Sequence, residues 1–265
     1  MNIIDGKKIA DQILNDLERE IKQNGLKPAL AVILAGDNQA SKMYVRLKEK
    51  TAKKIGIRIE KHLLSDKIQE EEILKIIESA NQDSKIYGIL VQMPLPEDLS
   101  SDRIVEHIDP LKDVDGFLKQ SKFDPPFILS IWQALNCVKE SLRDKKMIAL
   151  VNSDIFGQNL KLFFSKKQLE LEYILINQGE MGDRIKQADV LITALGKPGF
   201  INGSMIKHGS ILIDGGIAKK DDRVIGDIDP ESVSQKASWL SPVPGGLGPI
   251  TVACLLKNVV KAITD

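Results

Sequence analysis

The fold is indicated by residues 30–38, which read LAVILAGDN. Five apolar residues of strand length come first, and the polar turn Gly36-Asp37-Asn38 ends the run. Helical spacing follows from about residue 39 to 55, and Gly56 closes that helix. Strands that are buried on both faces of a parallel sheet have such continuous apolar runs. This strand–turn–helix unit therefore predicts an α/β fold.

The same alternation continues through the first half of the chain. The further predicted elements are a helix over 7–23, a strand over 57–63, a helix over 65–80 with Ser65 or Asp66 as its N-cap, and a strand over 87–91. This order implies an open parallel sheet with helices on both faces. Ligands of such sheets bind beyond the carboxyl ends of the strands, which is where Gln92 and the loop at Asn38 lie.

A second series begins near residue 130. Its predicted elements are a helix over 130–142, a strand over 147–151, a helix that follows Gly157 and ends near 167, strands over 173–176, 190–194 and 211–214, a helical turn at 185–187 and a last helix over 251–264. The repeated alternation predicts a separate nucleotide-binding domain. We expect the last helix to pack back on the first domain, which would leave a cleft between two α/β domains.

Composition excludes several function classes. Among 265 residues, Lys+Arg and Asp+Glu both total 37, so a formal net charge of zero argues against broad binding to nucleic acid or anionic membranes. No apolar run reaches the roughly 18 residues of a membrane span, and the start MNIIDGKKIADQIL does not read as a signal peptide. Two distant cysteines, Cys137 and Cys254, fit a reduced intracellular setting. The three scattered histidines show no metal-ligand spacing.

Tyr44 and Lys48 are four residues apart in the predicted helix over 39–55, so both project from one face. A tyrosine ring packs on flat substrates, and a lysine with a lowered pKa transfers protons. By spacing alone, a solvated helix face is the more common explanation of such a pair. Taken singly, Gln92 reads as a strand-end polar residue, Asp115 as a turn former, and 244–248 as a plain loop.

Six motifs in order across the chain remove that ambiguity. They read GDNQASKMYVRLK at 36–48, GILVQMPLP at 88–96, KDVDGF at 112–117, ALGKPGFI at 194–201, IDGGI at 213–217 and PVPGGLGPIT at 242–251. This set resembles the bifunctional methylenetetrahydrofolate dehydrogenase/methenyltetrahydrofolate cyclohydrolase (FolD) family nearly end to end. The resemblance implies a folate-binding and catalytic domain formed by 1–122 plus 250–265, and a Rossmann-like dinucleotide-binding domain over 123–249.

The resemblance also implies the reaction and the residues that perform it. A hydride would pass from 5,10-methylenetetrahydrofolate to a nicotinamide cofactor, and water would open the resulting 5,10-methenyltetrahydrofolate to 10-formyltetrahydrofolate. Lys48 would be the central catalytic residue, oriented by a hydrogen bond to Gln92; Tyr44 would stack on the folate ring, and Asp115 would bind the pterin. The other implied substrate contacts are Val91, Met93, Pro244, Gly245, Gly246, Leu247 and Gly248, and the implied cofactor contacts are Asn152, Ser153, Gly157 and Ile217, with no metal.

The cofactor domain departs from the family pattern. The family usually has Gly-Arg-Ser-x-x-Val-Gly-x-Pro after the first strand of this domain, whereas residues 151–159 read VNSDIFGQN. Asn152 replaces the Arg whose charge would pair with the 2′-phosphate of NADP. At 177–180 the sequence NQGE stands where the family has His-Ser-x-Thr, and only Glu180 offers a carboxylate for a free ribose. The resemblance favours NADP, and the lost arginine makes NAD a rival.

Three functional hypotheses are compatible with these residues. The first is a bifunctional enzyme with an altered dinucleotide site, the second a cyclohydrolase whose dehydrogenase step is weak or lost, and the third a non-catalytic folate-binding protein on the same fold. Retention of Lys48 and Gln92 argues against the third. The resemblance further implies a cytoplasmic homodimer that acts in one-carbon metabolism and purine biosynthesis.

Overall fold

The computed structural model describes residues 1–138, 140–177, 181–220 and 223–264. The first half of the chain forms β1 (Asn2–Ile3), α1 (Gly6–Gln23), β2 (Ala29–Ala35), α2 (Gln39–Lys54), β3 (Arg58–Leu64), α3 (Glu70–Gln82), β4 (Gly88–Val91), α4 (Ser101–Glu106), α5 (Pro126–Cys137) and β5 (Met147–Val151). The second half forms α6 (Asp154–Lys166), β6 (Leu171–Leu175), α7 (Gly182–Ile185), β7 (Val190–Ala194), β8 (Ile211–Asp214), β9 (Ala218–Lys220), β10 (Arg223–Ile225), α8 (Pro230–Val233), β11 (Trp239–Ser241) and α9 (Leu247–Thr264).

The chain divides into two units. The three-stranded unit comprises Asp11–Pro126 and the chain from Val252 onward, and the six-stranded unit comprises Met1–Ala10 and Phe127–Thr251. The sequence-based boundaries differ from this division mainly at the start, since they assign residues 1–10 to the other unit. The reason is β1, which pairs in parallel with β11 through Asn2↔Trp239 and Ile3↔Leu240. A two-residue strand leaves no periodicity to read in the sequence.

The three-stranded unit is built on β2, the middle strand in the order β3-β2-β4. Both pairings are parallel, and every residue of β2 is buried. Leu30, Val32 and Leu34 pack with residues of α1, α2 and α9, whereas Ala31, Ile33 and Ala35 pack with residues of α3 and α4. Each fully buried Leu or Ile side chain contributes about 1.5–3 kcal/mol. Burial on both faces explains why this strand reads as a continuous apolar run.

The six-stranded unit contains a parallel sheet in the order β1-β11-β8-β7-β5-β6. From β5 the chain first goes to β6 on one side, and then returns to β7 on the other side. The direction of winding thus reverses between β5 and β7. In open α/β sheets, ligands bind at the carboxyl edge of such a reversal. The predicted α/β class, with a Rossmann-like parallel sheet in the C-terminal part, is confirmed.

Five predicted helix starts differ from the structure by three or more residues. Three of these helices begin earlier than predicted: α5 at Pro126, α6 at Asp154 and α7 at Gly182. Helix α3 begins at Glu70 with Gln69 as its N-cap, because Ser65 Oγ instead accepts a local hydrogen bond from the Lys67 N–H (3.1 Å). Helix α9 begins at Leu247, four residues before the predicted start. Pro249 is tolerated in its first turn, where a helix leaves N–H groups without intrahelical partners.

Helix α9 alone, among the described helices, is long and apolar enough to cross a membrane by length and composition. More than half of it, 56%, is buried inside the protein. Its buried residues Leu255, Leu256 and Val259 belong to the core of the three-stranded unit. The apolar character of α9 is therefore accounted for by packing.

Candidate active site

Helix α2 carries Tyr44 and Lys48. Asn38 caps its N-terminus, since its Oδ1 accepts a hydrogen bond from the Ser41 N–H (3.0 Å). Ser41, Val45 and Ala52 form the buried face of the helix. Tyr44 and Lys48 lie beside that face and are half-buried. The helix thus holds a phenol and an amine at the margin of the core rather than in open solvent.

Gln92 follows β4 and fixes the lysine. Lys48 Nζ donates a hydrogen bond to Gln92 Oε1 (2.8 Å), and Gln92 Nε2 donates to the carbonyl of Met93 (2.7 Å). The same carbonyl accepts a hydrogen bond from Ser41 Oγ (3.3 Å). Because Nε2 is bound to a carbonyl, the amide oxygen faces the ammonium. The expected hydrogen bond between Gln92 and Lys48 is confirmed.

Asp115 lies in a tight turn over 113–118. Asp113 holds this turn: its carbonyl accepts a hydrogen bond from the Gly116 N–H (3.1 Å), and its Oδ2 accepts one from the Leu118 N–H (2.8 Å). Gly116 has φ +67°, and a Cβ there would lie 2.7 Å from the Phe123 carbonyl oxygen. Only glycine fits this position, so Gly116 is required for the backbone turn that carries Asp115.

The charges of Lys48 and Asp115 are coupled. Burial lowers the pKa of Lys48, and the Asp115 carboxylate opposes that effect by attracting the ammonium. Burial raises the pKa of Asp115 to about 6, with Lys48 opposing the rise and Asp113 adding to it. Burial also raises the pKa of Tyr44. A lysine and a carboxyl whose pKa values are both displaced toward neutrality suit proton transfer.

Two other predicted substrate contacts, Val91 and Met93, lie at and just after the end of β4. Val91 is 1% exposed and belongs to the core on the α3 side, and Met93 packs against that core. The Val91 side chain is thus occupied by packing, and the Met93 carbonyl already accepts hydrogen bonds from Gln92 Nε2 and Ser41 Oγ.

The predicted loop 244–248 belongs to the six-stranded unit. Gly245 has φ +100°, and its carbonyl accepts a hydrogen bond from the Gly6 N–H at the start of α1 (3.0 Å). Pro244 and Gly245 are exposed, Gly246 is buried, and Leu247 and Gly248 form the first turn of α9. Pro244 and Gly245 are therefore the exposed residues of this segment.

Asn152 and Ser153 follow β5 at the point where the winding reverses. The Asn152 N–H donates to the Ala194 carbonyl (3.2 Å), and Asn152 Nδ2 donates to the Leu195 carbonyl (3.1 Å). Ser153 caps α6, with its Oγ accepting a hydrogen bond from the Phe156 N–H (3.3 Å). The N-terminus of a helix at this edge of the sheet suits a phosphate group.

Comparison with known proteins places these features in a family. The sequence profile of the tetrahydrofolate dehydrogenase/cyclohydrolase catalytic domain matches residues 4–115, and that of the NAD(P)-binding domain matches residues 125–265. The chain belongs to the tetrahydrofolate dehydrogenase/cyclohydrolase family. The family predicted from the sequence motifs is thereby confirmed.

Individual members of this family match the chain over nearly its whole length. The bifunctional protein FolD of Halothermothrix orenii is 38% identical over 274 residues, covering 98% of this chain and 97% of that protein. The crystal structure of the bifunctional enzyme FolD from Campylobacter jejuni superposes with a TM-score of 0.94 at 34% identity, covering 100% of this chain and 99% of that chain. FolD from Trypanosoma brucei, crystallised with NADP cofactor and an inhibitor, gives a TM-score of 0.93 at 26% identity, covering 99% and 97%.

As a member of the tetrahydrofolate dehydrogenase/cyclohydrolase family, the protein is an enzyme with two activities. It oxidises 5,10-methylenetetrahydrofolate with a nicotinamide cofactor, and it hydrolyses the methenyl product to 10-formyltetrahydrofolate. It is therefore both an oxidoreductase and a hydrolase of one-carbon metabolism. The predicted function and reaction classes are confirmed.

Two of the predicted cofactor contacts, Gly157 and Ile217, differ from each other in burial. Gly157 is buried, and a Cβ there would overlap the ring of Tyr173 on β6, so glycine allows α6 to pack closely on the sheet. Ile217, after β8, is 50% exposed and accessible to a ligand. Glu180, the predicted ribose contact, lies outside the described residues. Among the described residues, no group of three or more His, Cys, Asp or Glu is arranged to hold a metal ion.

Sequence reasoning missed two buried aspartates of the six-stranded unit. Asp214 is 2% exposed and Asp227 is 0% exposed, and both bind backbone N–H groups beyond the strand ends. The signal was present, because in ILIDGG an aspartate directly follows a buried strand run and two glycines follow it. No such signal marks Asp227, because the residues before it, Arg223–Ile225, form a strand that is not buried.

Proposed function

We propose that Lys48 is the central catalytic residue of this enzyme, with Gln92 as the residue that positions its amine. The 2.8 Å hydrogen bond from Lys48 Nζ to Gln92 Oε1 carries this proposal. This hydrogen bond fixes the direction of the half-buried Lys48 amine beside the Asp115 carboxyl. Burial lowers the pKa of this amine. Such an amine exchanges protons near neutral pH more readily than an exposed lysine does.

Tyr44 and Asp115 serve substrate binding in this proposal. The half-buried ring of Tyr44 stacks on the flat folate ring system, one helical turn from the amine. The Asp115 carboxyl accepts hydrogen bonds from the adjacent N–H donors of the pterin. The further proposed substrate contacts are Val91, Met93 and the segment from Pro244 to Gly248.

The chemistry then follows in two steps. When bound, the nicotinamide supplies the acceptor for the hydride that leaves the methylene carbon of the substrate. Water adds to the resulting methenyl carbon, one carbon–nitrogen bond breaks, and a proton is released to give the formyl product. Lys48 transfers protons in this second step, while Gln92 keeps its amine aimed at the reacting carbon.

NADP is the proposed cofactor, with Asn152, Ser153 and Ile217 as its contacts. The capped N-terminus of α6 offers N–H groups to a phosphate, and the Trypanosoma brucei relative binds NADP. Asn152 brings no charge to a 2′-phosphate, and its amide already binds the Leu195 carbonyl. NAD is for that reason the competing cofactor.

We also propose that the enzyme is a cytoplasmic homodimer whose product is used in purine biosynthesis. It binds neither nucleic acid nor membranes. The zero formal net charge supports the absence of nucleic-acid and membrane partners. Both cysteines are free thiols, which supports a reducing compartment. The oligomeric state is tested by light scattering on the purified protein.

One experiment tests the proposed cofactor. NADP and NAD are each titrated into the purified enzyme at saturating 5,10-methylenetetrahydrofolate, and the absorbance of the methenyl product is followed. We expect saturation with NADP at a lower concentration than with NAD. A lower KM for NAD would contradict the NADP proposal. If neither cofactor supports oxidation but added methenyltetrahydrofolate is hydrolysed, the dehydrogenase activity is weak or lost and the cyclohydrolase activity is retained.

A further inference from the structure

Two buried carboxyl groups connect the loops at the carboxyl edge of the six-stranded sheet. We propose that Asp227 and Asp214 are positioning residues of the dinucleotide site, which they shape by holding the backbone beyond β7 and β8. Neither residue needs to touch the cofactor to do so. The inference rests on the proposed dinucleotide site at Asn152, Ser153 and Ile217.

Asp227 holds the loop that follows β7. Its Oδ2 accepts a hydrogen bond from the Leu195 N–H and its Oδ1 one from the Lys197 N–H, both at 2.7 Å. The side chain is fully buried, so no water competes for these bonds. Two short bonds from one carboxylate to two backbone groups leave this loop little freedom.

That loop is also bound to Asn152. Asn152 Nδ2 donates to the carbonyl of Leu195, the residue whose N–H is bound by Asp227. Leu195 thus connects the proposed cofactor contact Asn152, which follows β5, to the buried carboxylate of Asp227. A shift of Asp227 would move the Leu195 backbone and, with it, the Asn152 side chain.

Asp214, the last residue of β8, holds two further segments. Its Oδ1 accepts hydrogen bonds from the N–H groups of Gly216 (2.9 Å) and Asp227 (3.0 Å). Its Oδ2 accepts one from the Ile228 N–H (3.0 Å). Asp214 therefore fixes the turn that leads to Ile217 as well as the backbone that carries Asp227.

Two glycines make room for this arrangement. A Cβ at Gly216 would overlap the Asp227 carboxylate, and a Cβ at Gly226 would overlap the Asp214 carboxylate. Each carboxyl group is therefore packed directly against the backbone of the segment that carries the other. Such a close fit transmits a displacement of one segment to the next.

The position of these bonds separates them from ordinary core packing. Asp189 provides the contrast, because it lies just before β7, at the opposite edge of the same sheet. Its Oδ2 accepts a hydrogen bond from the Lys146 N–H (2.8 Å), and its Oδ1 one from Lys207 Nζ (2.6 Å). Both kinds of aspartate join neighbouring segments, but only Asp214 and Asp227 do so where a dinucleotide binds.

The test compares Asp227→Asn with Asp189→Asn. An asparagine has one acceptor oxygen, so either the Leu195 or the Lys197 N–H loses its partner. We expect the KM for NADP to rise about tenfold in Asp227→Asn, because a displaced loop weakens binding before it affects the bound transition state. At saturating NADP, kcat should return to near the wild-type value. Cyclohydrolase kcat/KM, measured without dinucleotide, should be unchanged in both variants, and the KM for NADP should be unchanged in Asp189→Asn.

An unchanged KM for NADP in folded Asp227→Asn would overturn the inference, as would an equal loss of both activities. If circular dichroism shows that Asp227→Asn does not fold, Asp214→Asn undergoes the same measurements with the same expected and contradicting results. A wild-type enzyme that binds neither NADP nor NAD by calorimetry would contradict the proposed dinucleotide site itself. If the wild-type enzyme is saturated by NADP and the KM for NADP of the variant is unchanged, only the positioning role is contradicted.

Discussion

The proposed catalytic region around Lys48 and the carboxyl edge of the six-stranded sheet both contain an aspartate whose pKa burial raises to about 6. Their partners differ. Asp115 faces the ammonium of Lys48, whereas Asp214 binds three backbone N–H groups. The Asp115 carboxylate interacts electrostatically with the Lys48 amine, which can gain or lose a proton. The second carboxyl is committed to the shape of the chain.

The difference shows that a displaced pKa does not identify a catalytic residue by itself. What distinguishes the two sites is the mobility of the partner: a lysine side chain in one, peptide groups in the other. Substitution at the first region should therefore change the chemistry, and substitution at the second should change stability and cofactor affinity. Four predictions test this contrast, from the largest expected effect to the smallest.

Lys48→Met should lower cyclohydrolase kcat about 1,000-fold, within the range that a positioned acid–base group contributes. NADP affinity, measured by calorimetry, should not change, because the six-stranded unit is intact. Lys50→Met serves as the control, since Lys50 is exposed on the same helix. Hydrolysis within tenfold of the wild type in folded Lys48→Met would exclude the proposed role.

Asp214→Asn should remove a pH dependence of stability. The folded protein keeps the Asp214 proton up to about pH 6, whereas the unfolded chain loses it near its usual value of 3.8. The folded state thus binds more protons between about pH 4 and 6, and its stability falls as the pH rises through this window. Since one pKa unit corresponds to about 1.4 kcal/mol, the wild type should lose about 3 kcal/mol more than the variant between pH 4 and pH 7.

Urea unfolding of both proteins at four pH values measures this difference, and the contribution of Asp115 cancels in the comparison. Asp189→Asn provides a control of opposite sign. A hydrogen bond from Lys207 holds the pKa of Asp189 below its usual value, so its contribution is lost as the pH falls. Parallel pH curves for the wild type and Asp214→Asn would contradict the prediction.

Gly157→Ala should lower the free energy of unfolding by about 1–3 kcal/mol, the usual cost of overpacking, because the new methyl group meets the Tyr173 ring. Gly182→Ala is the matched control. Within the described part of the chain, and apart from its chain neighbours and its own helix backbone, no atom lies within 4 Å of the added Cβ, and we expect a change within about 0.5 kcal/mol. Urea midpoints decide between them. Unchanged stability with a raised KM for NADP would show instead that Gly157 contacts the cofactor, as the sequence motif suggests.

The last prediction concerns the pH profile of cyclohydrolase activity in Asp115→Asn. Without the carboxylate that raises it, the pKa of Lys48 should fall further, so the limb of the cyclohydrolase profile due to Lys48 should move to lower pH. The limb near pH 6 due to Asp115 should disappear. A profile of kcat/KM against pH, which reports the free enzyme, measures both changes. An unmoved Lys48 limb would show that the two charges are not coupled.

Local sequence patterns placed the elements that carry Tyr44, Lys48 and Gln92, namely a helix over 39–55 and a buried strand over 87–91. The hydrogen bond between Lys48 and Gln92 followed only from the family resemblance, because the two residues are 44 positions apart. The hydrogen bonds of Asp214 and Asp227 join segments that are distant along the chain, and no periodicity records them. Strands β1, β9, β10 and β11 were missed because two or three residues are too few to show alternation.

Pairing of β1 with β11 has a consequence for the order in which the chain folds during synthesis. The first strand leaves the ribosome early, yet its partner around Trp239 and Leu240 is made near the end. The core of the three-stranded unit likewise awaits Val252 and Leu255 of α9. The core of the six-stranded unit includes Leu240, and that of the three-stranded unit includes Leu255. Each core is therefore completed only when residues late in the chain have been made, unlike the first domain of a simple tandem chain.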